Sequence, residues 1–194
     1  MNWLAVLLLV VLLLGLATVV LSWTAGRHDR LHIRLATARA SLHLQLSDRI
    51  ATTMRLASSP ALDPASALVL LAAAEEARSG NGTARHEEAE SALSQTLRAV
   101  FGDLEEVRLL CAECDEPDRS ALRDLAGTCE RVRFAAHFHD QLCTRTVAMR
   151  RRLLVARLHL AGHAPWPIRF VFDDEPPQGL LTVASRPPSG APEP

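Results

Sequence analysis

Lysine and tyrosine are absent from the 194 residues, and asparagine occurs only at Asn2 and Asn81. All 21 basic side chains are arginine. A GC-rich coding sequence produces that bias, so the missing lysine does not point to arginine-specific chemistry. Charge of one sign is not in excess either: the formal net charge is −1, which gives bulk electrostatics no reason to favour a nucleic-acid binder. No P-loop, G-x-S-x-G, H-E-x-x-H or dinucleotide fingerprint is present, so the chain carries no catalytic signature and reads as non-enzymatic. Glycine is sparse before the C-terminal end and β-branched residues are few beyond the first turns, leaving a composition of Ala, Leu and Arg that favours helix.

The first charged side chain is Arg27. Before it, "NWLAVLLLVVLLLGLATVVLSW" holds 14 Leu or Val between Leu4 and Leu21, with Trp3 and Trp23 at the edges. About 20 apolar residues cross a bilayer, and tryptophans suit its two interfaces. A cleaved signal peptide fits less well, because the run lacks a basic n-region, is too long, and ends in the poor cleavage site "LSWTAG". Residues 1–26 are therefore expected to be a transmembrane anchor. Arg27, Arg30, Arg34 and Arg39 follow it against one acid, Asp29, which by the positive-inside rule predicts an outside N-terminus and a cytoplasmic C-terminal domain. Four cysteines in such a domain are expected to be reduced.

From Arg27 to Ser59, apolar or small residues recur at Leu31, Leu35, Ala38, Leu42, Leu46, Ile50, Thr53 and Ala57, one helical stripe with Gly26 as a soft joint to the anchor. Asp63 and Pro64 read as a cap and first helical residue, and Gly80 as the end of that helix. Thr83 is a candidate cap for a helix to Phe101, and a short helix follows over Asp103 to Cys111. Pro117 opens the longest element, whose seam runs Leu122, Leu125, Cys129, Val132, Ala136, His139, Cys143, Thr146, Arg150 and predicts a helix as far as Ala161. "IRFVF" and "LLTVA" read either as short strands or as apolar runs packed on the bundle. The fold expected is all-α: an antiparallel helical bundle over 27–164, an extended segment over 165–184, and a Pro-rich tail over 185–194 too polar to order.

Charge is segregated along this plan. Residues 63–118 hold 13 acids against four arginines, whereas 145–169 hold six arginines and no acid. A helix over 27–58 rises roughly 48 Å, and an antiparallel return from Asp118 ends near Arg150. That brings Arg145, Arg150, Arg151, Arg152 and Arg157, with Trp166, beside Arg27 and Arg30 at the membrane surface, where anionic lipid headgroups attract about 1 kcal/mol per arginine. On a helical wheel these arginines spread around the axis, which suits snorkelling at a bundle end better than a helix lying on the surface. Glu87, Glu88, Glu105 and Glu106 then mark an acidic region facing a protein partner. Glu75, Glu76, Glu87, Glu88 and Glu90 read as a solvated helix face rather than a cation site.

"CAEC" with Cys129 and Cys143 does not make a four-thiolate zinc site, because the last two cysteines lie about 21 Å apart on one helix and zinc–sulfur bonds are about 2.3 Å. Cys129 and Cys143 read as buried thiols, and no thioredoxin-like pattern surrounds Cys111 and Cys114. His137 and His139 point about 200° apart on a helix and do not converge on an ion. His139 with Cys143 needs a ligand from another helix, such as His43. The simpler expectation is that His139 and Asp140 form a buried polar contact while His137 faces solvent. No metal or cofactor is expected. A metal-dependent enzyme using His139 and Asp140 is the alternative, and nucleic-acid binding through the arginine block a second one.

"CERVRFAAHFHDQLCTRT", following a single-pass anchor and an Ala-rich helix, resembles the LemA-like bacterial membrane proteins. "SWTAGRHDRLH", "LDPASA", "AESALSQTLRAV" and "RRRLLVARLHLAGHAPWP" look like a divergent branch from high-GC Gram-positive bacteria, so the resemblance spans most of residues 20–177. It implies an antiparallel helical bundle on a membrane stalk, without an established biochemical activity. The family pattern Arg-x-Phe/Tyr-Asn-Asp reads "HFHDQ" here, so His139 takes the aromatic place and Asp140 the asparagine place.

Overall fold

The computed structural model describes residues 3–80, 85–151 and 166–184, including all their side chains except those of Ala5, Ala17, residues 20–29, Val183 and Ala184. These residues form α-helices joined by turns and one extended segment, and no strand occurs among them. The helices are α1 (Trp3–Ala57), α2 (Pro64–Gly80), α3 (His86–Phe101), α4 (Leu104–Glu113), α5 (Glu116–Arg150) and α6 (Gln178–Ala184). Two compact units divide the chain, one of Met1–Arg39 with His139–Arg169 and one of Ala40–Phe138 with Phe170–Pro194.

Helix α1 runs 55 residues without a break, a rise of about 82 Å. Gly26 is therefore an ordinary helical residue and not a joint. Among the described residues no helix is long and apolar enough to cross a membrane. The longest unbroken stretch of described side chains in the N-terminal apolar run is 6–16, because the side chains of Ala5, Ala17 and residues 20–29 lie outside the description.

Local chemistry sets the remaining helix starts. The Asp63 carboxylate accepts the N–H groups of Ala65 and Ser66, both at 3.0 Å, and Pro64 supplies the first turn with a fixed φ. Asp103 caps α4 in the same way, accepting from Glu105 at 2.8 Å and Glu106 at 3.0 Å. Asp115 accepts the Asp118 N–H at 3.0 Å, so α5 begins at Glu116, one residue before Pro117. Thr83 lies outside the described residues, and α3 starts after Arg85. Helix α5 is described to Arg150, and the expected continuation to Ala161 falls in 152–165, also outside the description.

The second unit holds the main core. Leu70, Ala74 and Ala77 of α2, Leu93, Leu97 and Phe101 of α3, Val107 of α4, and Leu122, Leu125 and Cys129 of α5 pack with Leu56 and Leu180. Within this unit α1 and α5 run antiparallel. Arg131 meets Gln45, Thr128 meets Thr52, Arg55 meets Asp124, and Ser59 meets Asp118, all through side-chain hydrogen bonds. Every residue of the α5 seam from Leu122 to Arg150 is buried except Ala136, which is half-buried, so the three-four spacing is the packing face of that helix. In the first unit Ala38, His139, Leu142, Cys143, Thr146 and Arg150 are buried.

"IRFVF" is extended chain and "LLTVA" is the body of α6, so neither forms a strand. The reason for the second lies in Gly179. A Cβ there would stand 2.7 Å from the carbonyl oxygens of both Phe101 and Asp103, so only glycine lets α6 settle on the α3–α4 turn and bury Leu180. Gly179→Ala is expected to destabilise the protein by about 1–3 kcal/mol. Gln178→Ala, exposed on the same turn, should stay within about 0.5 kcal/mol when both are measured by denaturant unfolding.

Candidate functional site

Helix α3 has a stripe of His86, Ala89, Glu90, Leu93, Ser94, Leu97 and Phe101, all buried. Glu90 belongs to that stripe and is 0% exposed, which corrects its reading as part of a solvated acidic face. Its Oε2 accepts from Arg49 Nη2 of α1 at 2.6 Å, and Arg49 itself is 2% exposed. The same guanidinium donates through Nη1 to Ser94 Oγ at 2.9 Å and through Nη2 to the Glu90 carbonyl at 3.3 Å. Three acceptors on one turn of α3 thus converge on one buried cation. Burial without such partners would cost several kcal/mol per ion.

The second carboxylate oxygen, Oε1, lies 3.6 Å from His86 Nε2. His86 stacks on His43 of α1 with ring centroids 5.3 Å apart, and meets Phe170 in a T-shaped contact with centroids 4.8 Å apart. Phe172 lies under the Arg49 guanidinium at 5.8 Å. These aromatics belong to the extended segment, which α3 holds by its backbone and its acid. Glu87 accepts the Val171 N–H at 3.0 Å and Ser91 Oγ accepts the Asp173 N–H at 3.0 Å. Arg98 forks onto the Asp173 carboxylate and donates to the Glu175 carbonyl at 2.7 Å. The Arg98 hydrogen bond holds the Asp173 carboxyl below the usual carboxylate range. Glu90 thus lies between a guanidinium and an imidazole, under a cover of two phenyl rings.

The acids read as partner-facing divide. Glu88, Glu105 and Glu106 are exposed, with Glu105 paired to Arg108 at 2.6 Å, whereas Glu87 is half-buried and committed to the extended segment. Among the arginines read as membrane-facing, Arg30, Arg145 and Arg151 are exposed. Arg150 is not: it is 6% exposed, with its guanidinium 5.1 Å from the ring centroid of Trp166, while Trp166 is 62% exposed. The side chain of Arg27, and all of Arg152 and Arg157, lie outside the described residues.

His139 is buried with Nε2 3.6 Å from Cys143 Sγ, and that sulfur also lies 3.7 Å from the Ile168 carbonyl. Burial, reinforced by the Asp140 charge, pushes the Cys143 thiol above its ordinary value. Asp140 forms a two-bond ion pair with Arg169. His137 is exposed, and His43 serves the α1–α3 network. No group of three His, Cys, Asp or Glu side chains among the described residues could hold a metal ion. The chain matches no protein-family model, no curated protein and no solved structure.

Desolvation raises the Glu90 carboxyl above its ordinary 4.5, even against the attraction of Arg49. A carboxyl that holds its proton more tightly folded than unfolded contributes stability that is complete below 4.5 and is lost as pH rises through the raised value. Urea unfolding across that window is expected to show a falling component in the wild-type chain that Glu90→Gln lacks. Identical pH slopes for the two chains would contradict this.

Proposed function

We propose that the chain is a membrane-tethered helical scaffold whose bundle faces the cytoplasm, holding its basic end near anionic lipid and offering an acidic surface to a protein partner. The supporting observation is the continuity of α1. One unbroken helix carries both the N-terminal apolar run and the stripe of Ala38, Leu42, Leu46 and Ile50 that enters the bundle. In that run Leu4, Leu8 and Leu12 are 71%, 68% and 69% exposed, and the other Leu and Val side chains described between residues 6 and 16 range from 47% to 63%. An apolar surface of this extent is stable against hydrocarbon rather than water. From Trp3 to Trp23 the helical rise is about 30 Å, the thickness of a bilayer core.

The α1–α5 register supports the orientation. Partners such as Gln45 with Arg131 and Ser59 with Asp118 have residue numbers that sum to 176 and 177. Carried along both helices, that register would bring Arg150 and Arg151 level with residues 25–27. Exposed Arg30, Arg145 and Arg151 would then meet headgroups, and Trp166 would sit at the interface with Arg150 beneath it. Glu88, Glu105 and Glu106 are the acids left for a partner, which would be recognised by charge complementarity. Membership of the LemA-like family belongs to this same proposal and rests on the quoted motifs alone.

The test is alkaline extraction of membranes from cells making the full chain. The wild-type protein is expected to stay with the pellet. Leu8→Arg with Leu12→Arg, which places two charges in the hydrocarbon at roughly 2.5–3.5 kcal/mol each, should move it to the supernatant. A wild-type chain released by the wash would remove the anchor from the account. In inside-out vesicles, external protease should reach the bundle, and protection there would reverse the orientation.

A further inference from the structure

Between α1 and α5 of the second unit lies a cleft of about 400 Å³ that neither the buried network nor the proposed scaffold surfaces use. Apart from Ala51 and Gly127 its described lining is polar, which suits a hydrophilic occupant. Two guanidinium groups meet on its α5 wall. Arg55 Nη2 of α1 donates to Asp124 at 2.8 Å, and Arg131 Nη1 lies 3.2 Å from where a Cβ on Gly127 would stand. Asp124 and Gly127 are three residues apart, so the two cations bracket one turn of α5. Antiparallel packing explains the meeting. Side chains lean toward the N-terminus of their own helix, so Arg55 and Arg131 reach toward one another from opposite directions. On the same stretch Thr52 and Thr128 bring their hydroxyls within 3.1 Å. A glycine inside the 35-residue α5 is disfavoured relative to alanine, and here its missing side chain lets the Arg131 guanidinium come in. Arg131 Nε donates to Gln45 at 2.9 Å, and no acid pairs with Arg131 among the described residues.

We infer that this cleft binds a hydroxylated phosphomonoester of the sugar-phosphate class, its phosphate on Arg131 and Arg55 and a hydroxyl on Asp48. Guanidinium forks match phosphate oxygens bidentately, which a point charge cannot do. The Gln45 bond to Nε orients the Arg131 fork before a ligand arrives and leaves Nη1 and Nη2 to the phosphate. Arg55 spends only Nη2 on Asp124, in an exposed pair of the kind that contributes little and can be shared. Arg123, the third guanidinium of the lining, is held by Glu116 and adds field rather than a contact. Asp48 is exposed and without a basic partner among the described residues, so it would repel a second anion and accept a hydroxyl. That combination selects a monoester with hydroxyl groups over a polyphosphate. A volume of about 400 Å³ falls in the range of small-molecule sites. This inference does not depend on the membrane reading.

The experiment is titration calorimetry of the full chain in neutral detergent at low ionic strength, with glucose 6-phosphate, inorganic phosphate and glucose as probes. Glucose 6-phosphate is expected to bind once per chain, more tightly than inorganic phosphate, and glucose not at all. Arg131→Gln, a change at an exposed position, should weaken it by about tenfold or more. Gly127→Ala separates binding from folding. Alanine is the better helix former, so unfolding stability should hold or rise, while its methyl displaces the Arg131 guanidinium and affinity falls several-fold. Asp48→Ala should weaken glucose 6-phosphate and leave inorganic phosphate bound at least as well as before. Arg108→Gln, which removes an arginine paired on α4, should change nothing. No uptake of glucose 6-phosphate by the wild-type chain, undiminished uptake by Arg131→Gln, or an equal loss in Arg108→Gln overturns the assignment. Dihexanoyl phosphatidate is the lipid arm: tighter binding of it than of glucose 6-phosphate, lost in Arg131→Gln, would make the source a headgroup and overturn the sugar ester.

Discussion

A guanidinium and a carboxylate closed off from water impose the strictest geometric condition in this chain. Arg49 and Glu90 lie at 3% and 0% side-chain exposure, so neither can relax toward solvent if the other moves. Their 2.6 Å contact is one of three bonds from Arg49 to a single turn of α3. A slip of α3 by one residue would carry Glu90 and Ser94 about 100° around the axis and break the set. The pair therefore specifies how α1 and α3 meet, a role for buried ions better founded than a large net contribution to stability. It also gives the extended segment its purpose. Phe170 and Phe172 cover His86 and Arg49, while Glu87, Ser91 and Arg98 of α3 hold that segment in place.

Much of this architecture is legible in the sequence because helix packing leaves a periodic trace. The stripe from Ala38 to Ala57 and, but for half-buried Ala136, the seam from Leu122 to Arg150 are buried where the period places them. Asp63 and Asp103 cap where a short acid precedes a helix. Glu90 was open to the same argument, since it falls in phase with His86, Leu93, Leu97 and Phe101. Reading it by its charge, among neighbouring acids, hid its place in the stripe. Its partner gave a matching signal, for Arg49 sits beside Ile50 on the inner face of α1. Their pairing spans 41 residues, and no local pattern encodes a contact of that range.

The C-terminal region shows a different limit. A run of five residues such as "LLTVA" is too short for its period to separate strand from helix. What settles the matter is the close approach of Gly179 to two carbonyls at the α3–α4 turn, a tertiary fact. Arg150 follows the same logic. As part of an arginine block it looked like a surface charge, but its position closes the α5 seam, and Trp166 covers it from a segment 16 residues on. Of the charges assigned to the two surfaces, Arg30, Arg145 and Arg151 are exposed, and so are Glu88, Glu105 and Glu106. The scaffold reading draws on those exposed charges.

The most direct measurement of the central constraint is a double-mutant cycle on Arg49 and Glu90, using Arg49→Met, Glu90→Leu and both together, with unfolding free energies of the full chain. Removing one partner leaves a buried charge, so each single change is predicted to cost about 3–5 kcal/mol. The double variant should recover a large part of that loss, giving a coupling above about 1.5 kcal/mol. Single costs that add to within about 0.5 kcal/mol would mean that the two side chains act independently, and that something other than this pair sets the meeting of α1 and α3.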